Sequence, residues 1–365
     1  MAYSTTSGDG FGTGLAGVGD VTGDGYDDVL VGAPGANLAR ILAGPDGSST
    51  INLTGEEEGD EAGASVADAG DIDDDGQNDL VIGSPANQGG SDGGGAVHLV
   101  YGPVTEDYDL FNSDAVWYGD GEGQRAGSAM TGMGDMDGDG YGDFLFGADG
   151  LDSSSGVVGA VYLIYGPQVG LYGTGDVDVK WFGEALGEAA AYPSNVGDVN
   201  GDGLNDVAVA VPGGSIEDEA DSGVIYIWYG AQYTVLDNVN HGDASLVGEN
   251  DGDSLFLPVG GTSDGFGDLN ADGIDDLWIG ASGEDTNGES SGASYVIYGP
   301  VSGAMDLCTS DIHYYGESAG DYSGTSNVGG GDLNDDGVPD LLVGAPGNDE
   351  AGAEAGAAYV VFGGW

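Results

Sequence analysis

The chain has 365 residues, of which 65 are Asp or Glu and 3 are Lys or Arg, for a formal net charge of −62 at pH 7. Such a charge excludes nucleic acid and anionic membrane surfaces as electrostatic partners. The sequence is nevertheless 39% hydrophobic, with 19 Tyr and short regular apolar runs, so we predict a folded chain rather than a disordered one. No apolar run approaches 20 residues, which argues against membrane insertion.

The composition also bears on the compartment. A single cysteine, Cys308, excludes a framework of intramolecular disulfides. No signal peptide is visible at Met1, so a secreted form is expected to have lost or replaced one. Because self-repulsion destabilises so acidic a fold at low salt, we expect an extracellular or cell-surface setting that is saline or rich in Ca²⁺.

The first recurring element along the chain is a nine-residue acidic loop of the form Asp-x-Asp-x-Asp-Gly-x-x-Asp. It is most complete at residues 71–79 and 135–143. Six copies begin at residues 20, 71, 135, 198, 268 and 332, at intervals of 51 to 70 residues. A period of this size is typical of repeat architectures.

Short β-like runs surround each loop. In the second repeat, alternation and the β-branched and aromatic residues predict strands at Ala64–Gly70, Asp79–Gly83, Ala96–Gly102 and Ala115–Gly119. The third of these recurs at residues 161–166, 225–230, 295–299 and 359–363. Four strands per repeat are typical of a β-propeller. We therefore predict an all-β fold, a six-bladed β-propeller of four-stranded antiparallel blades.

The two ends of the chain are predicted to meet in one blade. The last repeat stops after its third strand, and residues 2–5 are an unassigned β-like segment that can supply the fourth. The prediction is one propeller domain over residues 1–365, closed by this N-terminal strand. Its parts are residues 1–7 for the outer strand of the last blade, and 8–56, 57–120, 121–184, 185–248, 249–316 and 317–365 for blades one to six.

The spacing within the acidic loops predicts Ca²⁺ binding. Ca²⁺ takes six to eight oxygen ligands, and alternate residues of a tight loop turn their side chains toward one point. Positions one, three, five and nine supply side-chain oxygens, position seven supplies its backbone carbonyl, and Gly at position six makes the sharp turn. We predict about six Ca²⁺ ions per chain. The predicted ligands are Asp20, Thr22, Asp24, Tyr26, Asp28, Asp71, Asp73, Asp75, Gln77, Asp79, Asp135, Asp137, Asp139, Tyr141, Asp143, Asp198, Asn200, Asp202, Leu204, Asp206, Asp268, Asn270, Asp272, Ile274, Asp276, Asp332, Asn334, Asp336, Val338 and Asp340.

Two other interpretations of these loops are less consistent with the sequence. An EF-hand needs a bidentate Glu at the twelfth position, leading into a helix. The twelfth residues are apolar instead, namely Val31, Ile82, Phe146, Val209, Ile279 and Val343. Each loop is therefore predicted to join two strands. An acidic turn that binds no metal is disfavoured because six copies keep the same register.

These repeats resemble the FG-GAP repeat of integrin α-subunit propellers. The motifs that carry the resemblance are Gly10-Phe11-Gly12 and the later Gly32-Ala33-Pro34, Gly83-Ser84-Pro85 and Gly344-Ala345-Pro346. The acidic loop lies between them, as it does in that family. The integrin propeller has seven repeats, only some with acidic loops, whereas this chain has six that all carry one. Asp149, Val211 and Ser282 also depart from the Gly-Ala-Pro pattern.

The resemblance implies that the acidic loops lie on one face and that ligands bind at the other. Candidate recognition loops are residues 87–95, 149–159, 213–223, 283–292 and 347–356. We expect a calcium-stabilised binding or adhesion module that recognises a protein or a glycan. One alternative is a structural subunit of a surface layer or filament, which self-assembles by exchange of the N-terminal strand. A polysaccharide-active enzyme is the least supported alternative.

No catalytic constellation is visible in the sequence. His98, His241 and His313 fall in different repeats and share no motif, and Cys308 has no recurring His neighbour. The sequence contains many pairs of carboxylates, but no feature of it identifies one of them as the catalytic pair of a glycosidase. The expectation is a protein without catalytic residues, and with no cofactor apart from Ca²⁺.

Overall fold

A computed structural model describes residues 7–153, 156–183, 190–214, 222–230, 233, 236–250, 252–257, 267–352 and 355–363. The predicted N-terminal strand at residues 2–5 lies outside them. The described part is all-β, with helix limited to four three-residue 3₁₀ turns: η1 (Pro34–Ala36), η2 (Leu110–Asn112), η3 (Val239–His241) and η4 (Leu307–Thr309). Within it, no helix has the length and apolar character needed to span a membrane.

The strands of the first three repeats follow one another along the chain, and the four predicted for the second repeat lie at the predicted places. They are β1 (Leu15–Gly17), β2 (Val29–Ala33), β3 (Leu38–Ala43), β4 (Ser49–Thr54), β5 (Ser65–Gly70), β6 (Asp79–Ser84), β7 (Ala96–Val100), β8 (Tyr108–Asp109), β9 (Ala115–Tyr118), β10 (Ala126–Gly134), β11 (Asp143–Ala148), β12 (Asp152–Ser153), β13 (Gly156–Val157), β14 (Ala160–Ile164), β15 (Gly170–Gly173) and β16 (Val179–Phe182).

The last three repeats continue the same pattern. Their strands are β17 (Tyr192–Asn195), β18 (Val207–Val211), β19 (Val224–Trp228), β20 (Leu236–Asn238), β21 (Ala244–Val247), β22 (Leu255–Phe256), β23 (Leu277–Ala281), β24 (Ala293–Ile297), β25 (Gly303–Asp306), β26 (Ile312–Tyr315), β27 (Ser326–Gly331), β28 (Asp340–Ala345) and β29 (Ala357–Val361). Of these, β20 and β25 are short strands between the third and fourth strands of their repeats.

Each of the first five repeats forms a sheet whose four main strands lie side by side in chain order. In the second repeat β5, β6, β7 and β9 pair antiparallel in turn, for example with Ile82 opposite both Val66 and His98. The sixth repeat contributes three strands, β27, β28 and β29, within the described residues. The prediction of repeated four-stranded antiparallel sheets is confirmed for the first five repeats.

A fifth, parallel strand borders four of these sheets, which the sequence analysis did not predict. The added strands are β8 beside β4, β15 beside β9, β20 beside β16 and β25 beside β21. Each comes from the segment between the third and fourth strands of the following repeat. These strands are two to four residues long, which is too short to show a periodic pattern.

Neighbouring sheets of the first three repeats pack face to face. One apolar cluster joins the first and second sheets through residues such as Ile41, Leu53 and Leu80. Another joins the second and third, where the ring of Trp117 meets the edge of Phe144 at a centroid distance of 5.3 Å. The central strands β6, β7, β11 and β14 are buried along their whole length. Their near-continuous apolar sequences follow from burial on both faces.

The Gly of the Gly-Ala-Pro motif lies where the next repeat approaches most closely. A Cβ built on Gly83 would lie 2.1 Å from the carbonyl oxygen of Gly127. Gly32, Gly147 and Gly280 show equivalent approaches of 1.8 to 2.1 Å to the following repeat. A side chain at these positions would separate the two sheets. Close packing of the sheets therefore explains the Gly of this motif without a role in binding.

The chain divides into two compact units, one formed by Met1–Pro193 with Gln232–Asn238 and the other by Ser194–Ala231 with Val239–Trp365. The first unit holds the sheets of repeats one to three. The second holds those of repeats four to six. The prediction of a single closed domain, with its blade boundaries, stays a prediction.

Replacing Gly83 by Ala should destabilise the fold by about 1–3 kcal/mol, because the added methyl overpacks the contact with Gly127. The measurement is urea unfolding in saturating Ca²⁺. Gly17→Ala is the matched control, since Gly17 is an exposed strand residue whose Cβ would meet nothing within 4 Å. Equal stability of the two variants would contradict this account of the motif.

Candidate metal centres

The loop at residues 71–79 shows how the acidic sequence folds locally. Asp71 accepts the backbone N–H groups of Asp75 at 3.0 Å and Gly76 at 2.8 Å, one on each carboxylate oxygen. Asp75 accepts the N–H of Gln77 at 2.8 Å. Asp side chains favour such turns because they bond to amides a few residues ahead in the chain. The backbone of the loop therefore turns around the carboxylate of its first residue.

All six loops repeat this arrangement. In each, the first-position Asp accepts the N–H groups of positions five and six at 2.7 to 3.0 Å. The sixth-position Gly has φ between 88° and 98°, as predicted, a region that only Gly enters without strain. Each loop joins the first strand of its repeat to the second, which confirms the prediction against an EF-hand helix.

Position four is also left-handed, which the sequence analysis missed. Its φ lies between 60° and 81° in all six loops. Three loops have Gly there, and the others have Asp74, Ala271 and Asp335. In five loops a Gly or Asp at this position could have indicated the left-handed conformation. Ala271 carries no such signal, and it is held in this conformation by the surrounding loop.

The ninth-position Asp links each loop to the end of the third strand of its repeat. Asp79 is fully buried, and its Oδ2 accepts the N–H of Ile72 while its Oδ1 accepts the N–H of Gly102, both at 2.8 Å. The equivalent residues are at most 1% exposed, and Asp143, Asp206, Asp276 and Asp340 make the corresponding pairs of bonds. Asp28 differs in that its Oδ2 accepts the N–H of Thr22, at position three rather than two, while its Oδ1 accepts the N–H of Gly44. This residue therefore fixes the loop against the sheet.

Burial perturbs these ninth-position carboxyls. Desolvation raises the pKa of Asp79, Asp143 and Asp206 to about 7 and that of Asp276 to about 6. Backbone N–H donors act in the opposite direction, and the neighbouring loop carboxylates raise the pKa further. In these four residues burial therefore favours the neutral carboxyl, and a nearby cation would favour the charged form.

In two loops the carboxylates converge closely. Asp71, Asp73 and Asp79 each offer an oxygen within 4.8 Å of the others, as do Asp135, Asp137 and Asp143. These are positions one, three and nine of the two loops with Asp at position three. The fifth-position Asp75 and Asp139 are not part of these close groups. The other four loops have Thr or Asn at position three and hence one carboxylate fewer.

The polar atoms at position three fit a metal ligand. The side-chain oxygens of Thr22 and Asn270 are buried and have no hydrogen-bond partner. Buried oxygens without a donor are rare in folded proteins and call for an ion or a water. The donor set is all oxygen and mostly carboxylate, which suits the hard cation Ca²⁺. The residues present therefore fit Ca²⁺, and the carbonyl contribution of position seven stays a prediction.

Comparison with known proteins points to one kind of repeat. The FG-GAP repeat profile matches residues 11–51, 194–228, 260–297 and 323–361. Similar proteins include integrin alpha-PS2 of Drosophila melanogaster, 35% identical over 207 residues, which are 52% of this chain and 14% of that protein. Integrin alpha-5 of Xenopus laevis is 35% identical over 153 residues, 37% of this chain and 14% of that protein.

A third relative carries a different name. Phosphatidylinositol-glycan-specific phospholipase D of Bos taurus is 37% identical over 114 residues, 30% of this chain and 14% of that protein. The chain thus spans about one seventh of the length of each of these relatives. The second and third repeats lie outside the profile matches, although their loops have the same hydrogen bonds as the rest.

The pKa shifts predict how Ca²⁺ stabilisation depends on pH. An Asp whose folded-state pKa is raised from 3.8 to about 7 stabilises the metal-free fold below about pH 4, and this stabilisation is lost as the pH rises through 7. Ca²⁺ needs the deprotonated carboxylates. The rise in Tm on adding saturating Ca²⁺ should therefore be small near pH 5 and large near pH 8. Thermal unfolding with and without a chelator, at constant ionic strength, makes this measurement. A Ca²⁺-induced rise that is the same at both pH values would contradict it.

Proposed function

Since the chain carries FG-GAP repeats similar to those of integrin α subunits, we propose that it is a calcium-stabilised binding module at the cell surface or outside the cell. Its ligand is a protein or a glycan. The observation that carries the proposal is the repeated loop, in which one hydrogen-bond scheme presents carboxylates in every repeat. A rigid repeated scaffold with variable loops is a common design for recognition.

The six repeats are, in this proposal, the blades of one β-propeller. Support comes from the four-stranded sheets of the first five repeats and from the face-to-face packing of the first three. The N-terminal segment would complete the sixth sheet, where β29 pairs only with β28 among the described residues. Ca²⁺ would be held by the side-chain oxygens at positions one, three, five and nine, of which position three is a carboxylate in two loops. There it would neutralise part of a negative charge that the chain's three basic residues are too few to balance.

Ligand recognition belongs to the opposite ends of the sheets. The acidic loops join first strands to second strands, so the connections from second to third strands lie at the other end of each antiparallel sheet. Residues 87–95 and 283–292 are described in full there, whereas 149–159, 213–223 and 347–356 are described in part. A groove of about 160 Å³ opens among Glu56, Glu57, Glu58, Asp60, Asn87, Gln88 and Gly89. Its acidity favours cationic ligands, or neutral ligands bound through a metal.

A second candidate function is self-assembly into a surface layer or filament. The observation in its favour is the edge of β29, where Val360 and Phe362 are 48% and 52% exposed. An exposed apolar edge strand is a template for pairing with another chain. We assign no enzymatic activity. The segment shared with the phospholipase is 14% of that protein, and the matched integrin subunits bear no enzyme name.

If the loops bind calcium, replacing Asp73 should weaken the Ca²⁺ site of the second loop. Asp73→Asn gives the second loop the three-carboxylate composition of the fourth to sixth, so one bound Ca²⁺ should become about tenfold weaker. Asp74→Asn is the matched control, since it removes the same charge from the adjacent, exposed, left-handed position. Calorimetric titration of the chelator-treated protein compares them. Fewer than three ions per wild-type chain, or equal effects of the two substitutions, would contradict the proposal.

Recognition by the second-to-third-strand loops predicts that exposed loop carboxylates affect ligand binding but not stability. Asp92→Asn and Asp285→Asn together should weaken binding to glycan-array or protein-panel hits by about tenfold or more, at unchanged Tm. Asp27→Asn, an exposed change at the opposite end of a sheet, should leave binding intact. Size measurement with and without Ca²⁺ tests the alternative. No array or panel ligand, together with large Ca²⁺-dependent assemblies, would favour the structural role.

A further inference from the structure

A second polar cluster recurs where one repeat passes into the next, away from the acidic loops. The chain there reads Gly-Glu-x-x-Gly-Asp at residues 248–253 and 316–321, and Glu56 and Asp60 provide the same carboxylate pair earlier in the chain. In the second repeat, the Asn87 amide lies between these two carboxylates. Its Nδ2 donates to Glu56 Oε2 at 3.1 Å and to Asp60 Oδ2 at 3.0 Å. Asn87 is 2% exposed, so a buried amide donates to both carboxylates at the wall of the groove.

The sixth repeat has the same arrangement. Asn348, 4% exposed, donates from Nδ2 to Asp321 Oδ2 at 3.3 Å and to the hydroxyl of Tyr359 at the same distance. The backbone turns also match. The N–H of Asn87 donates to Ser84, and that of Asn348 donates to Ala345. In both of these repeats a neutral amide donor therefore contacts the Asp of the carboxylate pair.

The fifth repeat replaces that donor by an acid. Glu284 occupies the equivalent place, with its N–H donating to Ala281 at 3.3 Å in the same turn. It is fully buried, and its Oε1 accepts the N–H of Thr286 at 2.8 Å and the hydroxyl of the same residue. Its Oε2 is buried with no hydrogen-bond partner. A third carboxylate thus faces the Glu249 and Asp253 pair in place of an amide.

These three carboxylates share one environment with Tyr295. Asp253 is 1% exposed and Tyr295 is fully buried. After desolvation, the charges of Glu249, Asp253 and Glu284 are the next causes that raise the pKa of the Tyr295 hydroxyl. Desolvation, and then the charges of Glu284 and Glu249, raise the pKa of Asp253 to about 6. The three acids and the phenol therefore interact electrostatically in a largely buried place.

Compensating positive charge within the protein is scarce there. His313 Nδ1 lies 3.6 Å from Glu249 Oε1, at the partly exposed side of the cluster. The three basic residues of the chain, Arg40, Arg125 and Lys180, all precede residue 194 and belong to the other compact unit. A buried carboxylate without a compensating positive charge is strongly destabilising.

We propose that Glu249, Asp253 and Glu284 bind a divalent hard cation, Ca²⁺, at a site separate from the acidic loops. All the side chains offered are oxygen donors, which Ca²⁺ prefers, and Ca²⁺ tolerates an irregular shell completed by water. These three carboxylates do not form the close group found at Asp71 and Asp135, so water molecules would bridge part of the coordination. The ion takes the place of the Asn amide found in the second and sixth repeats. It lies where the chain passes from the fourth repeat into the fifth.

The test exchanges the Asn and Glu versions of this cluster between repeats. Glu284→Asn copies the second and sixth repeats, and Glu284→Gln keeps the size and shape of Glu while removing its charge. Each should bind one Ca²⁺ fewer per chain than the wild type, and each should lose less Tm than the wild type on chelation. Asn348→Glu, facing Glu317 and Asp321, should bind one ion more. Calorimetry and elemental analysis of the full chain after gel filtration in dilute Ca²⁺ provide the counts.

The result that overturns the proposal is an unchanged Ca²⁺ count in the Glu284 variants. A variant whose only change is a shifted pH dependence of Tm also overturns it, since a proton then takes the place of the ion. If neither Glu284 variant folds, Asn348→Glu decides, and no gain of an ion overturns the proposal. Asp73→Asn distinguishes this failure from that of the loop sites, because it acts on a loop and leaves this cluster unaltered.

Discussion

The buried ninth-position carboxylate is the group on which the repeat depends. Asp79 receives one N–H from its own loop and one from the residue after the third strand, so a single side chain fixes the loop and the sheet edge together. Placing a charge there is unfavourable without a cation. A chain with three basic residues cannot supply six such cations from its own side chains. Under the proposed function, the fold would therefore be coupled to the solution, through protons at low pH and through Ca²⁺ above it.

The local conformation of the loops could be predicted from the sequence because its causes are local. Asp at alternate positions bonds to amides within the same nine residues, and Gly76 marks the left-handed turn directly. The four strands around each loop were predicted for a similar reason, since alternation and β-branched residues report burial on a sheet. The predicted strands of the second repeat differ from the observed ones by two residues at most.

What the sequence did not predict depends on residues far apart in the chain. The bond from Gly102 to Asp79 spans 23 residues, and no composition marks that glycine as its donor. The parallel strands such as Tyr108–Asp109 are defined only by the neighbour beside which they lie. The cluster around Glu284 is an intermediate case. The recurring Gly-Glu-x-x-Gly-Asp pattern was visible, but the facing residue comes from a different loop about 30 positions later.

The parallel border strands determine which residues would have to be duplicated together to add a repeat to this protein. The outer strand of each of the first four sheets is covered by two to four residues that belong to the following repeat. A piece of chain cut at the end of one sheet would therefore leave its last edge bare. Exposed edges recruit other chains. A gene duplication that lengthens such an array would succeed most easily if its breakpoint fell after the border strand, so that each new copy arrives with the cover for the copy before it.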